Sequence, residues 1–370
     1  MGNIPLQPSP TQIWYTSTDG VVITPSAPSF CQTIVSNSYD QGWGIITLDR
    51  PVTEICSNAF NGCKNLARII FPAVCTSIAQ GACQGCTSLE RVILPESITD
   101  IGPQAFIGCS ALLQISIPDT CINIAHNAFE STTNIVRYAK PTPAANQIWY
   151  TAMQQSAIET AFRIADAEIV SNNFRNGVGI IEFDSAISVV NKNAFYGCKS
   201  LVSVTLPEGV RCIEDYAFAI CKNLITVTLP DSVQDIGTCA FEGCSSLQNI
   251  NLCNGITNIS KYAFARCTSL KSLTLPDSIT TLSEGLLSGC KSLTKITLGC
   301  NLKEINPHAL EQCSIDELYL RSDLPKFHIA NLPLTAAIKI YVPHNTLESY
   351  IHHLLWQPYS AQFSEYKLEE

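Results

Sequence analysis

The sequence has few charged side chains. Of its 370 residues only 14% are Asp, Glu, Lys or Arg, against about 25% in typical globular proteins, so the polar surface has to come largely from Ser, Thr, Asn and Gln. Acidic residues outnumber basic ones, which gives a net charge of −9 and a pI near 5.2. A protein that neutralises nucleic-acid phosphates needs a basic surface, and this composition does not supply one. We therefore predict that nucleic acid is not a partner.

Long hydrophobic runs are also missing. No segment approaches the roughly 18 to 20 uninterrupted apolar residues that cross a bilayer, so we expect no membrane span. The segment from Met1 to Pro10 lacks a basic patch followed by an apolar stretch, and no export signal is expected in it. A signal can be removed during processing, so this absence does not decide where the protein works.

The motifs of common active sites are absent as well. The sequence contains no Gly-x-Ser-x-Gly, no His-Glu-x-x-His and no phosphate-binding loop. The pairs Gly42-Trp-Gly44 and Gly177-Val-Gly179 lack the third glycine of a dinucleotide site and are interpreted as turn glycines. His344, His352 and His353 have no Cys or carboxylate spaced to complete a metal site. We predict no catalytic residue, no metal and no cofactor.

What the sequence does contain is a repeat. The motif Ala-Phe-x-Gly-Cys and its variants recur every 23 residues, in one series of four and a second series of six. The first motif residues are Ala59, Ala82, Ala105 and Ala128, then Ala194, Ala217, Ala240, Ala263, Leu286 and Ala309. Further apolar positions keep the same period, at Ile55, Ile78, Ile101, Ile124, Val190, Ile213, Ile236, Ile259, Leu282 and Ile305. Such columns predict turns stacked on one another.

Each repeat also predicts a short strand. In Leu89-Glu-Arg-Val92-Ile-Leu94, and in the corresponding part of the other repeats, apolar residues alternate with outward ones, and a Pro usually ends the strand. A single repeat buries too little apolar surface to offset the conformational entropy of ordering it, so neighbouring repeats have to stack and the end repeats need caps.

A longer duplication marks two such caps. Gln12-Ile-Trp-Tyr-Thr16 returns as Gln147-Ile-Trp-Tyr-Thr151, an offset of 135 residues that also carries Ala59-Phe60 onto Ala194-Phe195. We therefore predict two arms. The first, residues 1–140, is a cap plus about four repeats; the second, residues 141–370, is a cap, six repeats and a C-terminal cap from about residue 320.

The ends of the two arms give further expectations. The first arm has no closing cap of its own, so we expect its last turn to pack on the second cap; a flexible linker is the alternative. In the C-terminal cap, Ile338 to Pro343 is expected to form a strand and the segment from about Leu347 to Trp356 a helix.

Eighteen cysteines raise the question of disulfides. Nine of them occupy one repeat position, at Cys63, Cys86, Cys109, Cys198, Cys221, Cys244, Cys267, Cys290 and Cys313. Stacked side chains point the same way, whereas a disulfide needs Cβ atoms that face each other. We interpret these nine as buried free thiols that act as small hydrophobic groups. The redox spacing Cys83-Gln-Gly-Cys86 is explained by the repeat in the same way.

The consensus Ala-Phe-x-Gly-Cys-x-x-Leu-x-x-Val-x-Leu-Pro resembles the BspA-like leucine-rich repeats of bacterial surface proteins, over residues 52–140 and 187 to about 320. The resemblance implies an α/β-type leucine-rich-repeat solenoid: a right-handed curved stack with a parallel β-sheet on its concave face, few regular helices, N-terminal-type caps and a C-terminal cap. It also implies a cell-surface or extracellular location and adhesion to a host extracellular matrix protein, a glycan or another cell. The family offers no catalytic residues to transfer.

The candidate binding residues lie at outward strand positions of the first arm. Arg68, Arg91, Gln114 and Arg137 share one repeat position, and Ile70 and Ile93 lie in the next outward column. Guanidinium groups in a row fit carboxylates of an acidic segment or sulfates of a glycan. The alternative interpretation is a solvated basic column. In the second arm the same columns are small and uncharged, as in Thr226 and Thr228.

Three classes of function follow from these observations. A binding protein, most specifically an adhesin, is the interpretation we prefer. A structural spacer without a ligand on the repeats is the alternative, and an enzyme with an unrecognised site is the third. A binding protein should lose affinity when the arginine column is reversed in charge, whereas a spacer should bind nothing tested.

Overall fold

The computed structural model describes residues 8–25, 32–138, 142–154, 156–159, 163–175, 177–322, 338–353 and 356–366. The chain divides into two compact units. The first comprises Met1–Pro141 with Arg175–Gly177, and the second Thr142–Phe174 with Val178–Glu370. Lys140 and Pro141, the predicted boundary between the arms, lie outside the described residues, so the expected packing of the first arm's last turn stays a prediction.

The first unit consists of short strands joined by turns. In chain order these strands, β1 to β11, are Gln12–Ser17, Ile34–Asp40, Trp43–Leu48, Glu54–Ile55, Leu66–Ile70, Ser77–Ile78, Arg91–Ile93, Asp100–Ile101, Gln114–Pro118, Asn123–Ile124 and Asn134–Tyr138. They form a five-stranded sheet in the order β2-β3-β1-β5-β7, a four-stranded sheet in the order β10-β8-β6-β4, and the pair β11-β9.

The second unit repeats this arrangement with more turns. Its strands β12 to β21 are Gln147–Ala152, Ile169–Arg175, Val178–Phe183, Val189–Val190, Leu201–Thr205, Cys212–Ile213, Thr226–Thr228, Asp235–Ile236, Asn249–Ile250 and Asn258–Ile259. Strands β22 to β28 are Ser272–Thr274, Thr281–Leu282, Lys295–Leu298, Glu304–Ile305, Glu317–Leu320, Lys339–Pro343 and Phe363–Tyr366. The sheets run in the orders β13-β14-β12-β16-β18-β20, β22-β24-β26-β27-β28, β15-β17-β19-β21 and β23-β25.

The predicted 23-residue stack is confirmed by the strand register. Arg68 lies beside Arg91 and Ser203 beside Thr226 in parallel ladders, each pair 23 residues apart. The Ala-Phe segments add hydrogen bonds between turns, such as Phe60 N–H to Ala82 O at 2.7 Å. Each turn is therefore bonded to the next along several lines, as expected of a solenoid.

The core consists of the predicted apolar columns. All ten residues of the Ala column are at most 2% exposed, and the Phe column stacks ring on ring, with centroids 4.9 Å apart for Phe195 and Phe218 and 5.2 Å apart for Phe218 and Phe241. Each unit has its own cluster of buried residues. Ile124, in the last turn of the first unit, is the column member that is only partly buried.

Both caps are three-stranded antiparallel sheets that contain the same hydrogen-bond network. In the first, the Tyr15 hydroxyl donates to Asn37 Oδ1 at 2.8 Å and accepts from Ile23 N–H at 3.3 Å. In the second, Tyr150 makes the equivalent bonds to Asn172 at 2.6 Å and from Ile158 at 3.2 Å. The 135-residue duplication thus reaches individual side-chain contacts.

The turn-glycine interpretation is right for one glycine of each pair and wrong for the other. Gly42 and Gly177 have positive φ angles of 85° and 82° and lie in turns. Gly44 and Gly179 instead lie within strands, opposite Tyr15 and Tyr150, and a methyl group on either would overlap the tyrosine ring. These two residues are glycines because an aromatic ring packs flat on the backbone.

The C-terminal cap contains less helix than predicted. Helix α1 covers Leu347–Ile351, and a 3₁₀ helix follows at Gln357–Gln362, so the expected helix to Trp356 was too long. Trp356 is fully buried against Tyr350 and Phe363. Among the described residues, no helix has both the length and the apolar character needed to cross a membrane.

The nine repeat-position cysteines are free thiols, as predicted. From the second turn of each unit onward their thiols donate to a carbonyl of the preceding turn, for example Cys86 Sγ to Phe60 O at 3.0 Å and Cys221 Sγ to Phe195 O at 2.9 Å. Cys56, which is outside this column, is disulfide-bonded.

Candidate binding surface

Arg68 and Arg91 lie side by side on the first unit's main sheet. They are register partners on the adjacent parallel strands β5 and β7, and both side chains are exposed. The residue after each, Ile69 or Val92, points into the core, which turns both arginines to the outer face, the side of the sheet away from the core. Neither arginine forms an ion pair with any residue that the structure describes. We call Arg68 and Arg91 the arginine pair.

Ile93 and Ile70 were predicted to flank the arginine column, and the structure separates them. Ile93 is 40% exposed beside Arg91, whereas Ile70 is only 6% exposed. The reason is the cap: strand β1 pairs antiparallel with β5 and places Trp14 directly opposite Ile70, and the Trp14 ring in turn lies 6.4 Å from that of Trp43. The prediction that Ile70 is available to a ligand was therefore wrong.

Gln114 is exposed at the start of β9, but Arg137 does not lie beside it. In the ladder of β9 and β11, Asn134 pairs with Gln114 and Arg137 pairs with Ile117, an offset of 20 residues in place of 23. The Arg137 guanidinium donates to Cys121 O at 2.6 Å and to Pro118 O at 3.3 Å. The predicted column of four therefore does not include Arg137.

The altered register has a local cause. Where the preceding repeat has Ile107-Gly108-Cys109, the last repeat of this unit has Glu130-Ser131-Thr132 and lacks the positive-φ glycine of that turn. A carboxylate oxygen of Glu130 accepts the hydrogen bond from Gly108 N–H at 2.7 Å, where other turns use a backbone carbonyl. The loss of Gly-Cys was visible in the sequence, but the number of residues by which the turn shortens was not.

The second unit's outer face is polar and largely uncharged over its first turns. Ser203, Thr226 and Asn249 form one column of register partners, and Thr205 and Thr228 belong to the next. Thr151 of the cap hydrogen-bonds the first of these, with its hydroxyl oxygen 2.7 Å from that of Ser203. This part of the face offers hydrogen-bonding groups but no net charge.

The described residues contain no arrangement that suggests catalysis. No group of three His, Cys, Asp or Glu side chains within them could hold a metal ion. An open depression of the second unit is lined by Lys192, Cys212, Glu214 and Asp235. Burial, with three neighbouring carboxylates, raises the pKa of the Cys212 thiol, which is the opposite of what a nucleophilic cysteine needs.

Comparison with known families agrees with this architecture. The family profile described as BspA type Leucine rich repeat region, which spans six copies of the repeat, matches residues 33–158, 167–237 and 213–330. The chain belongs to this family. Its BspA-type repeats thus extend over both units, which include Arg68, Arg91 and the two polar columns. No curated protein sequence matches the chain.

Solved structures with similarity to this BspA-type chain come from several bacteria. A leucine rich cell surface protein from Faecalibacterium prausnitzii is 26% identical, with 73% of this chain and 76% of that chain covered and a TM-score of 0.34. The pneumococcal vaccine antigen PcpA is 16% identical, with 91% and 88% covered and a TM-score of 0.41. A leucine-rich repeat protein from Bacteroides ovatus is 19% identical, with 94% and 99% covered and a TM-score of 0.23.

Proposed function

We propose that this protein is a non-catalytic adhesin of the cell surface or extracellular space. Its outer sheet face binds an anionic partner, a host extracellular matrix glycoprotein or a sulfated glycan, through the arginine pair. Ile93 supplies apolar contact beside the charged groups. The repeats present this surface and carry out no chemical step.

The arginine pair is the observation that carries this proposal. Adjacent strands lie about 4.8 Å apart, and like charges on neighbouring strands repel one another. Arg68 and Arg91 are exposed register partners without an acidic side chain paired to them among the described residues, although the chain as a whole is acidic. A carboxylate or sulfate between them would relieve this repulsion and accept paired N–H bonds from both guanidinium groups.

Two observations support the proposed location. Cysteines outside reducing compartments form stable disulfides, and Cys56 is disulfide-bonded. The BspA-type family match is in keeping with a surface protein, since such repeats resemble those of bacterial surface proteins.

The test compares charge reversals of equal size in two places. Binding of purified protein to heparin and to an immobilised acidic matrix glycoprotein is measured at physiological salt, together with a double variant, Arg68→Glu with Arg91→Glu. The matched control is Lys199→Glu with Lys222→Glu, which changes the net charge equally on the second unit. We expect the first variant to weaken binding by at least about tenfold, since each charged hydrogen bond contributes about 1.5–3 kcal/mol, and the control to bind normally.

The single variant Arg137→Glu separates the structure from the simple repeat spacing. Because Arg137 is bonded to backbone carbonyls, its reversal should leave ligand affinity unchanged. If neither ligand binds, or if the arginine-pair variant binds as tightly as the wild type, the proposed site is wrong. A protein that binds nothing tested would favour the structural spacer.

A further inference from the structure

The outer face of the second unit ends in an aromatic cluster. Tyr319 on β26 and Tyr341 on β27 are register partners, and their rings stack with centroids 4.4 Å apart and an angle of 13° between the planes. Tyr366 on β28 meets Tyr319 edge-on at 5.4 Å. All three tyrosines are half-buried, so part of each ring remains open to solvent.

The two stacked rings differ in how their faces are covered. Strands β24 and β27 flank β26 on opposite sides, so Lys295, whose Nζ lies 4.4 Å from the Tyr319 ring centroid, and Tyr341 cover opposite faces of Tyr319. Tyr341 has Tyr319 on one side only. On its other side the register partner is Ser364, which is exposed and too short to cover a phenol ring. Within the described residues, no ring or cation occupies that second face of Tyr341.

The charges beside this ring balance one another. Lys295, Glu317 and Lys339 are successive register partners, so positive and negative side chains alternate along the row next to the tyrosines. Arg321 and Asp277 form an ion pair with a nitrogen–oxygen distance of 3.3 Å. The cluster therefore offers hydrogen-bond donors and acceptors without a strong net charge, in contrast to the arginine pair of the first unit.

We propose that the open face of Tyr341 binds a neutral saccharide. A sugar ring has one face of C–H bonds that packs on an aromatic ring, and its hydroxyl groups at the edge need both donors and acceptors. The gap above Ser364 is about one strand spacing wide, roughly 4.8 Å, which accommodates a single sugar ring lying flat on Tyr341. Glu317, Lys339 and the Ser364 hydroxyl border that gap through their places in the ladder.

This site is separate from the one proposed above and has a different ligand. The arginine pair favours an anion and lies in the first unit, whereas the Tyr341 site favours an uncharged ligand and lies near the end of the second. The two sites can therefore be disabled independently.

The test uses neutral hexasaccharides of glucose, mannose and N-acetylglucosamine as probes. Their binding to the full chain is measured by titration calorimetry and by saturation transfer from tyrosine to sugar protons. Tyr341→Ala removes the platform, and Ser364→Phe leaves Tyr341 in place but covers its open face. The control is Tyr196→Ala, which removes a tyrosine that is 52% exposed elsewhere in the second unit.

We expect at least one hexasaccharide to bind, and both site variants to weaken it by about tenfold or more while the control has no effect. The double arginine-pair variant should bind that sugar normally. The proposal is overturned if no neutral hexasaccharide binds the wild type, or if Tyr341→Ala and Ser364→Phe both bind as well as the wild type. It is also overturned if the arginine-pair variant loses the sugar.

Discussion

At the scale of single residues, the cysteine column shows what a thiol does in this core. The carbonyl of Phe195 accepts the N–H of Cys198 at 3.0 Å, within its own turn, and the thiol of Cys221 from the next turn at 2.9 Å. The same arrangement links Cys244 to Phe218 and Cys290 to Phe264. A cysteine side chain is small and apolar yet still donates a weak hydrogen bond, so it suits a position that is both buried and next to a backbone carbonyl.

These thiols predict a loss of stability at alkaline pH. Burial raises the pKa of Cys221, and likewise of Cys290 and Cys313, to about 12, whereas an unfolded thiol titrates near its ordinary value of 9.0. The folded thiols hold their protons when the unfolded ones release them. Their stabilisation is therefore complete below about pH 9 and falls as the pH rises from 9 towards 12. Denaturant midpoints measured between about pH 8 and 11 should decrease.

Cys221→Ala provides the control for that titration. The variant should start at a lower stability but lose less with rising pH, because one of the raised thiols is gone. A pH slope equal to that of the wild type would show that the cysteine column does not cause the effect.

At the scale of elements, the caps and the last turn behave differently. Each cap adds an antiparallel strand to the first repeat strand, β1 to β5 and β12 to β16, which covers the sheet edge that the repeats leave open. The last turn of the first unit, by contrast, ends in β11, where Ile135 and Val136 are 40% and 38% exposed. Its shorter turn shifts the register that the 23-residue period predicts.

The cap's strand glycine gives a prediction at this scale. Gly44→Ala should lower the free energy of unfolding by about 3 kcal/mol, because the added methyl group overlaps the Tyr15 ring and the ring cannot leave without breaking its bonds to Asn37 and Ile23. In a Tyr15→Ala background the same change should have far less effect. Denaturation of the four proteins of this cycle measures the coupling, and an equal cost of Gly44→Ala in both backgrounds would contradict it.

At the scale of the whole molecule, the chain has two cores in place of one. The buried cluster of the second unit extends from Ile148 to Trp356 and includes its own cap, and the cluster of the first unit extends from Ile13 to Phe129. Since each stack buries its own apolar columns, stability is divided between two sets of neighbouring turns.

We therefore expect residues 142–370 to fold when expressed alone. Circular dichroism should show β structure and a cooperative thermal transition, and gel filtration a monomer. Residues 1–141, which end at the exposed strand β11, should be soluble only with a tendency to self-associate, since an open apolar strand edge pairs with other chains. A second unit that stays unfolded on its own would show that its core needs the first.

Much of this architecture was predictable from the sequence because the period is local information. The Ala, Phe, Ile and Cys columns recur every 23 residues, so every inward position was identifiable without knowing any long-range contact. The duplicated caps were predictable for the same reason, since the 135-residue offset repeats Tyr15 and Asn37 as Tyr150 and Asn172. Two of the candidate binding residues, Arg68 and Arg91, were placed together by the same spacing.

The rest depended on contacts that no period encodes. Ile70 is buried because an antiparallel strand from outside the repeats brings Trp14 onto it. Arg137 left its column because the shorter last turn changed the register from 23 to 20 residues. Tyr319, Tyr341 and Tyr366 come together only because β26, β27 and β28 pair after the repeats have lost their regular spacing. Sequence alone therefore determined the stack, where each turn copies its neighbour, and the tertiary structure decided the ends, where each strand meets a partner of different origin.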